Sequence, residues 1–185
     1  IGIPVAKAFS WLGYTPFFLV FLPIGYWLWD KRLFTRLAIL VGLVGISNSF
    51  LKDLFQDPRP PLELALDSNV GDSFGFPSGH AQVATAMWLW LAYEMRQRWA
   101  WAAAIFIAAG VGLSRIYLGV HDVEDVIGGT LLGLASFVIY RGLVSDEFKA
   151  WHSLNPELQL LAIAALAPSK HSMSRLFMGS SLHVE

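Results

Sequence analysis

A chain of 185 residues with 55% hydrophobic and only 15% charged side chains departs from a soluble domain, where about a quarter of residues are charged. A formal net charge of −1 and the lack of a long basic run exclude the electrostatic footprint of a nucleic-acid binder. The absence of cysteine excludes disulfides and thiolate metal sites. The mean hydropathy is +0.52, and several apolar stretches reach the roughly 20 residues that cross a bilayer core. Eight Trp and thirteen Phe suit interfacial aromatic anchors. The expected class is an integral membrane protein, all-α, a polytopic transmembrane helical bundle with five spans.

In chain order, residues 1–8 read as a short interfacial helix or the tail of a preceding segment, since the first residue is Ile rather than Met. The first span is expected over 9–29, closed by Asp30, Lys31 and Arg32. The second, 34–55, carries Gly42 and Gly45, where small residues let neighbouring helices approach. Asp57-Pro58-Arg59-Pro60-Pro61 stops it, because proline cannot continue a helix and disfavours helix in the residue before it. A polar extramembrane loop follows to Pro77, with Glu63, Asp67 and Asp72 and a short helix near 62–66. Spans three, four and five are expected over 78–95, 99–118 and 122–141, with Gly128, Gly129 and Gly133 as packing positions. The tail, 142–185, holds an apolar stretch that is too short to span and is interrupted by Pro168; an interfacial helix is expected at 156–167. The whole chain reads as one domain.

Alternating spans put Lys31, Arg32, Arg36, Arg96, Arg98 and Arg141 on one face, which the positive-inside rule makes cytoplasmic. The other face, periplasmic, extracellular or luminal, receives three chemically dense segments. They are Lys52 with Arg59-Pro60, then Pro77-Ser78-Gly79-His80, then Ser114-Arg115 with His121 and Asp125. Ionisable residues at membrane depth are costly and read as functional. Lys52, Arg59 and Arg115 suit a phosphate dianion. Ser78 stands at a helix N-cap, so backbone N–H groups of span three face an anion, and Gly79 lets the backbone approach it.

His121 and Asp125 are four apart, on one helical face. A carboxylate on one ring nitrogen fixes the tautomer and leaves the other free to attack, which makes His121 the better nucleophile. His80 can protonate a leaving alkoxide. Each piece also has an ordinary reading: Lys52 as a snorkelling lysine, Arg59-Pro60 as a turn, Ser78 as a plain cap, His121 and Asp125 as a surface pair. Asp122 and Glu124 read as charges complementing a helix dipole. The conjunction is what points to chemistry.

Lys52-x6-Arg59-Pro60, Pro77-Ser78-Gly79-His80 and Ser114-Arg115-x5-His121-x3-Asp125 together resemble the three-part signature of the type 2 phosphatidic acid phosphatase (PAP2) superfamily. The resemblance covers about residues 9–143 and implies a helical core and hydrolysis of a lipid phosphomonoester or pyrophosphate through a phosphohistidine. It implies no metal and no cofactor, with a lipid phosphate and membrane lipids as the partners. By carry-over His121 is the nucleophile, Asp125 its support and His80 the general acid. Lys52, Arg59, Ser78, Gly79 and Arg115 hold the phosphate. Membrane members of the family commonly have six spans against the five expected here, so a preceding span is expected to be missing or replaced by residues 1–8.

The same pocket would serve a phosphotransferase in which a lipid or sugar hydroxyl replaces water. A vanadate-dependent peroxidase fits poorly, since that branch is soluble. An inactive lipid-binding scaffold is disfavoured by the intact His121, Asp125 and His80. The acidity of the loop 62–76 disfavours heavily anionic headgroups outside the cation cluster.

Overall fold

Helix ends follow from local chemistry. The Asp30 side chain accepts the Leu33 N–H at 2.8 Å, an N-cap that starts a helix just after the first charged break. That helix closes at Gln56, whose left-handed backbone turns its N–H back to the Lys52 carbonyl ahead of the proline run. The computed structural model describes residues 2–61, 63, 65–67 and 73–144. Among these the helices are α1 (Gly2–Trp11), α2 (Thr15–Leu28), α3 (Lys31–Phe55), α4 (Gly79–Met95), α5 (Arg98–Tyr117) and α6 (Val123–Val144).

Ile1–Gly142 form one compact unit. A second unit, Leu143–Glu185, is described only in the last two residues of α6. The interfacial helix expected at 156–167 lies outside the described residues, as do Asp72 and parts of the short helix expected near 62–66.

Helices α3, α5 and α6 are each long and apolar enough to cross a membrane. Their outward faces, and that of α2, carry large apolar side chains such as Phe50, Phe106 and Ile139, with Trp27 73% and Leu28 82% exposed. So continuous an apolar surface is stable against lipid and not against water. The protein is an integral membrane protein.

The stretch expected as the first span, 9–29, is covered by two helices, α1 and α2, which together are long and apolar enough for a span and are bent by 55°. The break falls at 12–14, where Gly13 and the Thr15-Pro16 start of α2 interrupt helical hydrogen bonding. Residues 2–8, read from sequence as an interfacial helix or a tail, form most of α1. That helix packs on α5, with Phe9 and Phe106 edge-on at 5.7 Å.

Helix α4 has 17 residues, fewer than α3, α5 or α6, and is the most enclosed, burying 81–87 and 89–92. α6 reaches it through two glycines one turn apart. A Cβ on Gly129 would collide with the Ser78 carbonyl, and one on Gly133 would stand 2.5 Å from the Gln82 carbonyl. Gly42 and Gly45, expected to serve helix approach on α3, face open space within this chain. The close approach is made by α6.

One end of the bundle is fastened by polar contacts. Arg36 pairs with Glu94 at 3.3 Å, the Tyr140 hydroxyl donates to the Arg36 carbonyl at 2.8 Å, and the Arg141 guanidinium lies 5.2 Å from the centre of the Tyr93 ring. The other end carries the end of α3, the starts of α4 and α6 and the end of α5.

Candidate active site

Those four helix ends gather the three sequence segments into one place. Helix α5 ends in a turn that Gly119 makes possible, with φ of 67°, a backbone that other residues adopt only under strain. Two residues later His121 is buried at the mouth of α6, and its Nδ1–H donates to Asp125 Oδ2 at 2.8 Å. Asp125 also accepts the Asp122 backbone N–H at 3.1 Å. An ionised carboxylate only accepts, so the ring proton sits on Nδ1 and Nε2 keeps its lone pair. Nε2 lies 3.4 Å from Arg59 Nη1. Burial holds the His121 imidazole below its ordinary value; the Asp125 hydrogen bond pulls it up, and the Arg59 and Lys52 charges push it down.

Arg59 fastens two loops. Its Nε donates to the Ser73 carbonyl at 2.6 Å, Nη2 to Ser73 Oγ at 2.8 Å and Nη1 to the Val120 carbonyl at 3.0 Å. Lys52 is buried at the end of α3 and donates to the carbonyls of Phe74 and, at 3.1 Å, Gly75. An ammonium has three protons, so one remains for a ligand.

Ser78 stands at the N-cap of α4 with extended backbone, yet its side chain makes no capping bond. Its Oγ, the His80 Nε2 and the Arg115 Nε are buried with no partner among the described residues. Buried polar atoms are normally paired, and three such atoms beside a helix N-terminus make a cradle suited to an oxyanion. Lys52, Arg59, Arg115 and His121 all lie near enough to His80 to act on it electrostatically. The side of Gly79 where a Cβ would stand faces Asn48, 2.9 Å from its Oδ1, so that glycine makes room for α3. Arg115 is 2% exposed and contacts Ser10, Tyr14 and Asp67.

A cleft of about 650 Å³ opens beside Arg59 and Asp125. Phe55 and Phe76 form an apolar wall, edge-on at 5.1 Å, and Asp57, Asp122 and Glu124 supply acidic groups. Chemically, the arrangement offers an oriented imidazole, a second histidine and a cationic, N–H-rich cradle between them.

Sequence reasoning passed over Ser10, Tyr14, Asn48, Asp67 and Gln82. Asn48 Nδ2 donates to Gln82 Oε1 at 2.9 Å and to the Pro77 carbonyl at 3.1 Å, tying α3 to the start of α4. A polar pair in mid-span positions was the available signal for Asn48 and Gln82. For Tyr14 it was the adjoining Gly13 and Pro16.

This helical membrane architecture with a histidine–carboxylate pair over a cation cluster belongs to a known class. The chain is a member of the PAP2 superfamily, whose family model matches residues 33–149. It is 33% identical over 148 residues to sphingosine-1-phosphate phosphatase 2 of Mus musculus, covering 76% of this chain and 40% of that protein. It is 32% identical over 123 residues to phosphatidylglycerophosphatase B of Bacillus subtilis (strain 168), covering 62% of this chain and 58% of that protein. The chain thus spans less than two thirds of the length of these relatives. The crystal structure of a transmembrane PAP2 type phosphatidylglycerolphosphate phosphatase from Bacillus subtilis superposes with a TM-score of 0.66. The two are 29% identical, over 76% of this chain and 75% of that one.

Proposed function

We propose that the chain is a membrane phosphatase that hydrolyses the phosphomonoester of a lipid through a phosphohistidine on His121, without a metal ion. The observation that carries this reading is the His121 Nδ1–Asp125 bond of 2.8 Å, which leaves Nε2 unprotonated beside Arg59. Nε2 attacks phosphorus as the ester P–O bond breaks, and His80 gives its proton to the leaving alkoxide. Water then attacks the phosphohistidine, His80 taking back a proton, and inorganic phosphate leaves. Lys52, Arg59, Arg115, Ser78 and the N–H groups at the start of α4 stabilise the charge on the transferring phosphoryl group.

The names of relatives acting on sphingosine-1-phosphate and phosphatidylglycerophosphate support a lipid substrate. The acidic groups at the cleft favour one phosphate over a second anionic group. The basic residues at the opposite helix ends, Lys31, Arg32, Arg36, Arg96, Arg98 and Arg141, favour a site on the periplasmic, extracellular or luminal face.

The test is phosphate release in detergent across a panel of lipid and soluble phosphates, with wild-type and His121→Ala protein, with and without chelator. Release from a lipid monoester that vanishes in His121→Ala and survives chelator is expected. Equal rates in the two proteins would refute the His121 mechanism, and loss with chelator would refute the metal-free one. A diphosphate lipid as the best substrate would overturn the single-phosphate preference.

A further inference from the structure

Among the described residues, the Arg115 side chain is hydrogen-bonded through Nη1. Its Nη1 donates to Ser10 Oγ, to Asp67 Oδ2 at 3.2 Å and to the Tyr14 hydroxyl oxygen at 3.4 Å. Its Nε is also buried and has no partner among the described residues. A guanidinium is a planar fork, and the edge formed by Nε and Nη2 matches two oxygens of a phosphate. Among the described residues the side-chain hydrogen bonds of Arg115 fall on Nη1, which leaves Nε open toward a ligand.

Tyr14 is at the centre of this arrangement. Its hydroxyl donates to Asp67 Oδ2 at 2.5 Å while accepting from Arg115, and the guanidinium carbon lies 5.6 Å from its ring centre. The same ring meets His80 edge-on, centroids 4.6 Å apart at 88°. Tyr14 reaches both groups because it sits in the break between α1 and α2. Gly13 permits the approach, since a Cβ there would stand 2.5 Å from His80 Cδ2. Asp67 is delivered from the other side by the α3–α4 loop, where the Leu66 N–H donates to the Leu118 carbonyl at 2.9 Å.

We propose that Tyr14 and Asp67 are positioning residues of the phosphate site, clamping Arg115 through Nη1 so that its Nε edge faces the phosphoryl group. This rests on the phosphatase reading for the identity of the ligand. A carboxylate on a phosphate-binding arginine invites the opposite view, that Asp67 occupies the place of the phosphate. The two differ in sign. Removing an anchor weakens phosphate binding; removing a competitor tightens it.

The experiment measures the Kd of inorganic phosphate by calorimetry on the detergent-solubilised protein, so that binding is read without turnover. Tyr14→Phe keeps the ring against His80 and removes only the hydroxyl; Asp67→Asn keeps the shape and removes the charge. Each is expected to weaken phosphate binding by about tenfold, the scale of a hydrogen bond to a charged group. Each raises KM more than it lowers kcat. In an Arg115→Ala background neither change costs anything further, because their effect passes through that side chain. Unchanged or tighter phosphate binding in both single variants overturns the proposal, as does a full additional loss in the Arg115→Ala background. Should Asp67→Asn fail to fold, Tyr14→Phe decides alone. If phosphate release does not depend on His121 the enzymatic reading fails, whereas His121-dependent release with unaltered phosphate binding in both variants sinks only the clamp.

Discussion

Asp125→Asn separates the histidine–carboxylate pair from every other feature of the site. The pair is 2.8 Å apart with both side chains 2% exposed, so its hydrogen bond is desolvated and charge-assisted. A hydrogen bond to a charged group contributes about 1.5–3 kcal/mol. If that is lost wholly in the transition state, kcat/KM falls about 10- to 150-fold at about 1.4 kcal/mol per tenfold. The pH dependence supplies a second and independent sign. Burial holds His121 below the ordinary 6.5, Arg59 and Lys52 push it the same way, and Asp125 pulls it upward. A nucleophilic imidazole acts unprotonated, so kcat/KM rises with pH through the His121 pKa of the free enzyme. In the wild type that acid limb is expected below 6.5. In Asp125→Asn, which lacks the upward pull, it lies lower still. Activity falls while the acid limb moves to lower pH, a combination that simple unfolding does not produce. The assay is kcat/KM for a lipid phosphomonoester in detergent across a pH series. An acid limb displaced upward, or kcat/KM unchanged at neutral pH, would refute the reasoning.

Other substitutions probe the frame around the pair. Gly129→Ala sets a methyl against the Ser78 carbonyl and is expected to cost about 1–3 kcal/mol. Gly42→Ala meets open space in mid-helix and is expected to stabilise by about 0.5–1 kcal/mol; thermal unfolding in detergent checks the order, and the reverse order contradicts it. Ser78→Ala is expected to leave the unfolding midpoint unchanged, since the hydroxyl makes no capping bond, while weakening inhibition by inorganic phosphate. Arg59→Lys cannot reproduce donation to Ser73 and Val120 from one planar fork, so kcat/KM is expected to fall by about tenfold despite the retained charge. Wild-type kinetics in that variant would mean that charge alone suffices.

The legible part of this chain was whatever a local rule controls. Run length against the bilayer marked the four later helices, and the Asp57–Pro61 punctuation marked the end of α3. Spacing paired His121 with Asp125, because four residues on one helix face is geometry written in sequence. Long-range partners carry no such period. Asp67 reads only as one more loop acid until the fold carries it to Arg115, 48 residues away. Tyr14 was hidden in an apolar run whose hydropathy outweighed the Gly13 and Pro16 that break it. Lys52 and Arg59 were expected as anion ligands, but how many of their donors the backbone would take depends on where Ser73, Phe74 and Gly75 fold back. Glycine shows the same limit: Gly42 and Gly129 look alike in sequence, and only the neighbour decides that one meets nothing and the other a carbonyl.

Three of the carbonyls held by Lys52 and Arg59, those of Ser73, Phe74 and Gly75, belong to the stretch leading into the Pro77-Ser78-Gly79-His80 segment. If the proposed phosphate draws Lys52 and Arg59 toward itself, it pulls their donors away from those carbonyls. Binding free energies are reciprocal, so an anion that draws the cations inward loosens residues 73–75, and any contact that pins 73–75 weakens the anion by the same factor. The Gly75 N–H, bonded to the Asp57 carbonyl at 2.7 Å, reports on this, and it should exchange faster when phosphate is bound.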